Sequence, residues 1–356
     1  MIATKRLETF FLTHDLARIV PKGSPPVGYV YAYLLCSIGQ ALLCKDQYGS
    51  AIKHLEAHHI AGVPVPLLGE TEHKTIHNQV ARAYALRQEA NDLLDEADEM
   101  LHSELGLQPF HESLVPYLPV PRRETRAPAM PHPHAFVTRV SDLAHRFDAS
   151  YHVPIARTAI SLLGQLKYPP TQLKDMVQAV IVPPRFKRVY VPKEHGVPFL
   201  QGSHVALMKP YDLKCLSRAH TRRLDRWIVR AGWVLVTCSG TVGRVSVVSS
   251  YQDGWAASQH ILRIVSAEGK SHPGYLAAFL MTPYGRHQVA AKVYGAVVDE
   301  LTEHDMGAVV LPNAPLELQT RIGNRVLSAF EKKDEATRIE ETAIGRLETL
   351  LAAPHA

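Results

Sequence analysis

Hydrophobic and polar positions along this chain fall into two long heptad-like stretches that flank a series of short β-rich runs. From Ile76 onward, Ile76, Val80, Ala83, Arg87, Ala90, Leu94, Ala97 and Leu101 recur at 4-3-4-3 spacing. Sustained 3.5-residue spacing of this kind predicts a coiled-coil seam along a long helix. The same register returns at Ile322, Val326, Ala329, Lys333, Ala336, Glu340, Ala343 and Leu347. Alanine-rich seams allow close approach of two helix backbones, and the polar members Arg87, Lys333 and Glu340 restrict register and partner choice. Two amphipathic helices that each cover their own domain remain the simpler alternative. Between them, short β-rich runs separated by glycines predict strands at 197–202, 233–238, 243–250 and 260–265, with helices at 154–166 and 275–281. A proline-rich passage from Pro109 to Pro133 reads as an extended linker.

The two seams are part of a longer repeat. Gly28-Tyr29 matches Gly274-Tyr275 at an offset of 246 positions, and at that offset Gly39 meets Gly285, Tyr48-Gly49 meets Tyr294-Gly295, His58 meets His304 and Pro66 meets Pro312. No gap is needed from residue 28 to residue 105, and about a quarter of the positions are identical. One residue of slippage aligns Leu16–Val20 with Ile261–Val265. Because the copies flank an intervening domain, an antiparallel helix pair within the chain is expected. The expected organisation is an α+β protein. Residues 1–68 form the tail of a first domain, with partner strands missing, and 69–107 a first long helix. A linker spans 108–135, a complete mixed domain 136–315 and a second long helix 316–353.

Composition changes this picture little. With 46% hydrophobic and 21% charged residues among 356, the chain is ordinary for a globular protein. No run of about 18 apolar residues occurs, and the N-terminus lacks a signal-peptide pattern, so the expectation is no membrane span and a cytoplasmic location. Four cysteines without paired spacing predict buried, reduced thiols. The net charge of +5 says little by itself, but its distribution says more: 72–105 is acid-rich and 185–230 strongly basic.

Several of these stretches together resemble a known family. GVPFLQGSHV (196–205), GWVLVTCSGTVGRVSVV (232–248) and SQHILRIV (258–265) are similar to the target-recognition domain of type I restriction-modification specificity subunits. RFDASYHVP (146–154), PGYLAAFLMTPYGRHQV (273–289), VYGAVVDELTEHDM (293–306) and LPNAPLELQTRI (311–322) extend the pattern. The resemblance implies a non-catalytic reader of double-stranded DNA. Its paired helices would dock modification (methyltransferase) subunits that bind S-adenosylmethionine, joined by a restriction subunit using ATP and Mg²⁺. No cofactor is expected on this chain itself. The first copy lacks the part before its last third, and three readings stand side by side: a misplaced start, a split or decayed gene, or a half-subunit that self-dimerises.

Within that resemblance, the expected DNA-contacting residues are Arg185, Lys187, Arg188, Arg222, Arg223, Ser239, Thr241, Arg244 and Gln259. Arginine offers a bidentate fork for phosphate or guanine, and glutamine can pair with the adenine edge. A solvated basic face at 185–230, and a tight structural turn at 239–244, are the competing readings. For helix pairing and subunit docking the candidates are Ile76, Val80, Ala83, Ala90, Leu94, Ile322, Val326, Ala329, Ala336 and Ala343. No phosphate loop or methylation motif occurs. His54/His58 and His73/His77 have metal-compatible spacing but no third ligand, so they are expected to be surface histidines, as are His132 and His134. A coiled-coil adaptor that binds proteins rather than DNA is the alternative from another class.

Overall fold

The 246-residue offset that relates the two halves of the sequence also relates their elements. In the computed structural model, which describes residues 2–13, 15–50, 53–117, 135–143, 146–205, 207 and 209–353, the first copy forms α1 (Val27–Leu35), α2 (Ser37–Lys45), α3 (Ala57–Ala61) and α4 (Glu70–Leu105). The intervening domain contributes α5 (Pro154–Leu163), β1 (Pro170–Gln172), α6 (Leu173–Met176), β2 (Val177–Ile181), β3 (Tyr190–Val191), β4 (Gly196–Leu200), β5 (Lys214–Ser217), β6 (Val234–Thr237), β7 (Val245–Val247), β8 (Ala256–Ala257) and β9 (Ile261–Ser266). The second copy then forms α7 (Pro273–Met281), α8 (Pro283–Lys292), α9 (Glu303–Gly307), β10 (Val310–Pro312) and α10 (Leu316–Ala352). The fold is mixed α+β with two long helices. Most of the expected proline-rich linker, with His132 and His134, lies outside the described residues.

Matching positions of the copies make matching contacts. Tyr29 donates its hydroxyl to the Pro66 carbonyl at 2.8 Å, and Tyr275 donates to that of Pro312 at 2.7 Å. The bridge Tyr48–His54 recurs as Tyr294–Glu300. The helix pairs diverge where strands are concerned. Ile261–Val265 lies in the centre of a sheet, whereas Leu16, Ile19 and Val20 are exposed and form no strand. The neighbours of β9 are β2 and β6, and they have no counterpart among the described residues of the first copy.

The chain divides into two compact units, residues 1–91 with 332–356, and residues 92–331; both long helices run through both. In the first unit, α4 and α10 pair antiparallel, as Arg346 on Glu72 (2.8 Å) and Lys332 on Glu89 (2.5 Å) show. Ile76, Val80, Ala83, Ala90, Ala336 and Ala343 are all buried. The polar seam members meet as a buried ion pair, Arg87 to Glu340 at 2.6 Å, with the Tyr31 hydroxyl on the same carboxylate oxygen at 3.3 Å. Burial pulls the Lys333 ammonium down to about 8. His73 and His77 are not surface residues. His73 is buried against the Tyr29 ring (4.3 Å), and His77 Nδ1 accepts the Gly28 amide at 3.1 Å. Helix-face histidines at i and i+4 therefore serve packing and capping here. Among the described residues no group of three or more His, Cys, Asp or Glu could hold a metal.

In the second unit the helices again run antiparallel, with Arg325 on Glu96 (3.4 Å) and Arg321 on Glu104. Leu94 is partly buried, and Ile322, Val326 and Ala329 are fully so. Two four-stranded sheets form its centre, in the orders β2-β9-β6-β7 and β3-β5-β4-β8, with β1 and β10 as a separate antiparallel pair. The first sheet is antiparallel throughout; in the second, β4 and β8 run parallel. The apolar run of β6 has no polar alternation because both faces are covered. Val234 and Val236 join the core beneath α7 and α10, while Leu235 faces a second cluster with Leu200, Val229 and Ile261. Three of the four expected strands are shorter than their apolar runs by one to five residues, β9 keeps its length but starts one residue later, and α5 stops at Leu163 with Gly164 as its C-cap. Three cysteines are buried as expected, but Cys44 is exposed near the end of α2. Among the described residues no single helix is long and apolar enough to cross a membrane.

Two glycines of α10 test the packing in opposite directions. A Cβ on Gly323 would stand 1.9 Å from His272 Nδ1, and one on Gly345 would meet nothing within 4 Å. Gly323→Ala should therefore cost about 1–3 kcal/mol through overpacking. Gly345→Ala should gain about 0.5–1 kcal/mol, by reducing unfolded-chain entropy in an exposed helical position. Urea unfolding followed by circular dichroism checks both; equal signs for the two substitutions would contradict the packing described.

Candidate nucleic-acid interface

The run Arg185–Tyr190 alternates its side chains between core and surface. Phe186 packs on Trp227 (ring centroids 4.1 Å) and Phe199 (6.1 Å), so it is a core aromatic rather than part of an exposed groove surface. Arg185 and Lys187 point outward, and half-buried Arg188 lies with its guanidinium 5.4 Å from the centre of the Phe199 ring. Arg188 Nη2 donates to Gln259 Oε1 at 3.0 Å, and Gln259 Nε2 meets His260 Nε2 at 2.9 Å. Arg185 reaches Glu300 at 3.6 Å, while Ser239 bridges Glu300 through the backbone.

These groups meet at one cleft of about 350 Å³, lined by Val182–Arg185, Cys238, Ser239, Gln259, His260, Tyr294 and Glu300–Glu303. Of the residues expected from the sequence, Arg185, Ser239 and Gln259 line the cleft, and Arg188 joins them through its bond to Gln259. Burial, followed by the charges of Arg188 and Arg185, holds His260 below its ordinary range, with Glu300 acting in the opposite sense. Burial pushes the Cys238 thiol up to about 11, which makes it a poor nucleophile.

The glycine loop after β6 is a braced turn. Thr237 Oγ1 donates to the Thr241 carbonyl at 2.6 Å and accepts the Arg244 amide at 2.9 Å. Gly240 N–H bonds to Asp299 O and Gly243 N–H to Thr237 O, both at 2.9 Å, and both glycines have positive φ. Those amides are engaged within the protein, and what the loop offers outward is the exposed Thr241 and Arg244. Arg222 and Arg223 stand exposed on the β5–β6 connection, Arg223 with a left-handed backbone (φ 55°). No hydrogen bond or ion pair joins them to the cleft among the described residues.

Two positions that shape this region escape sequence reasoning. Glu300 sits among other acidic residues, Asp299, Glu303 and Asp305, and nothing in the sequence singles it out from them. Arg263, on β9, looks like a surface cation but is 1% exposed. Its guanidinium donates to the carbonyls of Ser258 (3.0 Å), Ala257 (2.6 Å), Trp227 (3.5 Å) and Ile261. Burial draws its pKa down to about 10, and the carbonyl acceptors favour the charged form. The residue therefore anchors the turn that carries Ser258, Gln259 and His260. The interruption of the apolar run ILRIV by an arginine is the one available signal.

Searches against family models and against curated proteins found no match. Among solved structures, the chain is similar to the HsdS subunit from Thermoanaerobacter tengcongensis, at 14% identity over 90% of this chain and 69% of that one, TM-score 0.36. It is similar at 14% identity to a chain from a structural study of complex assembly and conformational transition of the type I R-M system, over 89% and 70%, TM-score 0.36. A third similar structure is the type I restriction-modification S subunit from M. genitalium, at 12% identity over 91% and 71%, TM-score 0.43.

Proposed function

We propose that this chain binds double-stranded DNA sequence-specifically, as the non-catalytic specificity subunit of a type I restriction-modification complex. In that role it directs methylation and restriction carried out by methyltransferase and restriction partners. S-adenosylmethionine and ATP with Mg²⁺ belong to those partners. The observation that carries this reading is convergence: Arg185, Ser239, Gln259 and His260, from three separate segments, line one cleft, and Arg188 is hydrogen-bonded to Gln259 at its edge. In the same domain Lys187, Arg218, Arg222, Arg223, Arg226 and Arg244 are exposed, with no carboxylate partner among the described residues. Exposed cations around a polar cleft suit a ligand whose rim is phosphate and whose interior offers hydrogen-bonding base edges. The motif resemblance of 196–265 points the same way.

The test is duplex retention by the full-length chain, alone and with its methyltransferase partner, across a salt series. Affinity should fall linearly on a log–log plot. Arg222→Ala with Arg223→Ala should reduce the slope by about 2, since each phosphate contact contributes about 0.9. Sequence preference should survive, because phosphate contacts carry none. If neither preparation holds any duplex at low salt, the DNA-reading proposal is wrong and the adaptor reading takes its place.

A further inference from the structure

Arg188, Gln259 and His260 form a chain of hydrogen bonds whose polarity is dictated by chemistry. A guanidinium can only donate, so the Gln259 atom 3.0 Å from Arg188 Nη2 is the amide oxygen. The amide nitrogen therefore faces His260 Nε2 at 2.9 Å, and that ring nitrogen accepts. Turning the amide over would set its NH₂ against the guanidinium, donor against donor, and its oxygen against the imidazole lone pair. The Ser258 hydroxyl, 3.5 Å from the same oxygen, lies at the edge of bonding range. After these bonds, Gln259 keeps one acceptor lone pair on Oε1 and one N–H on Nε2.

We propose that Arg188 and His260 lock the Gln259 amide in one orientation, so that Gln259 is a specificity-determining residue for an adenine in duplex DNA. Adenine presents an N6–H donor and an N7 acceptor side by side in the major groove, and a glutamine amide satisfies both at once. The lock selects that donor–acceptor order and rejects its inverse. Arg188 and His260 are positioning residues here, so Arg188 acts through Gln259 instead of through phosphate. This inference rests on the DNA-reading function proposed above. His260 Nε2 must be unprotonated for the lock to hold. Burial, followed by the charges of Arg188 and Arg185, favours that state, and Glu300 opposes it.

Selection from a randomised duplex pool by the full-length chain tests the lock. The parent chain should select a motif that includes one adenine position dependent on Gln259. Gln259→Ala should flatten that position, on the order of 5- to 100-fold in discrimination, and leave the others intact. Arg188→Met keeps the aliphatic stem over Phe199 and removes the donor, so it should relax the same position. Arg188→Lys should retain the preference. Lowering the pH through the His260 titration should weaken the preference in the parent and leave Gln259→Ala unchanged. A parent motif that neither Gln259→Ala nor Arg188→Met alters overturns the lock alone. So does a uniform loss across all sequences in Arg188→Met, which would assign Arg188 to the DNA backbone. A parent chain that retains no duplex from the pool overturns the DNA-reading function and the lock together.

Discussion

Glu340→Leu should destabilise the helix pair by about 3–5 kcal/mol, whereas Arg87→Met combined with Glu340→Leu should return to within about 2 kcal/mol of the parent, or exceed it. The reasoning turns on desolvation. Glu340 is fully buried and Arg87 is 8% exposed, so neither charge is stabilised by bulk water. Removing the carboxylate leaves the Arg87 guanidinium buried without its anion, and deprives the Tyr31 hydroxyl of its acceptor. Two Arg87 nitrogens, Nε and Nη2, already lack a hydrogen-bond partner, so the pair is imperfectly satisfied even when intact. Replacing both charges with apolar side chains abolishes the desolvation cost at a layer flanked by Ala83, Leu86 and Ala336. A urea double-mutant cycle followed by circular dichroism measures the coupling. The account fails if the single and double variants lose equal stability.

The polar layer also explains why an uncharged seam would be less specific. Arg87 and Lys333 occupy matching positions of the repeat, but the partner position of Glu340 in the first copy is Leu94. The ion pair therefore forms once, and it favours one antiparallel register over neighbouring ones a few residues away.

Arg263→Met should cost the central domain about 3–5 kcal/mol, one of the larger penalties available to a single substitution. Four carbonyl groups lose their donor at a buried position, and each buried unsatisfied acceptor costs on the order of 1–3 kcal/mol less whatever relaxation recovers. Arg263→Lys should recover only part of the loss, because one ammonium cannot span carbonyls that a planar fork reaches together. Trp227, Trp233 and Trp255 lie in this domain, so fluorescence-detected unfolding reports on it directly. Unfolding of Arg263→Met at the parent's urea midpoint would show that the carbonyl cage contributes nothing.

The parts legible in the sequence were those set by periodicity. The seam from Ile76 to Leu101 and its copy from Ile322 to Leu347 announce both long helices and their buried residues, since a 3.5-residue period has few other uses. The match of Gly28, Gly39, Tyr48 and Pro66 to their partners announces the repeated helices. The strands at 234–237 and 261–266 follow from apolar runs too short for helices. What was not legible depends on distant pairing. The two-residue strands β3 and β8 are defined only by their neighbours β5 and β4, and the parallel β4–β8 pairing has no local signature. The inward turn of Phe186, the burial of His73 and the carbonyl cage of Arg263 arise from what surrounds them. Of the candidate interface, residue types were readable one at a time. Their meeting at a single cleft was not, because Arg185, Ser239, Gln259 and Glu300 lie up to 115 positions apart (300 − 185).

Each long helix belongs to both compact units, and this sets the order in which the units can be finished during synthesis. Residues 92–331 form one continuous stretch and need nothing made later. The first unit needs 332–352 to cover Ile76, Val80 and Ala83, so it waits while every residue of the other unit is made. At roughly 5–20 residues per second, that wait is on the order of ten to fifty seconds. During it, the earliest part of the chain presents an open alanine-rich groove near the ribosome. In that interval the α4 face that carries Ile76, Val80 and Ala83 stays uncovered, open to any other apolar helix face.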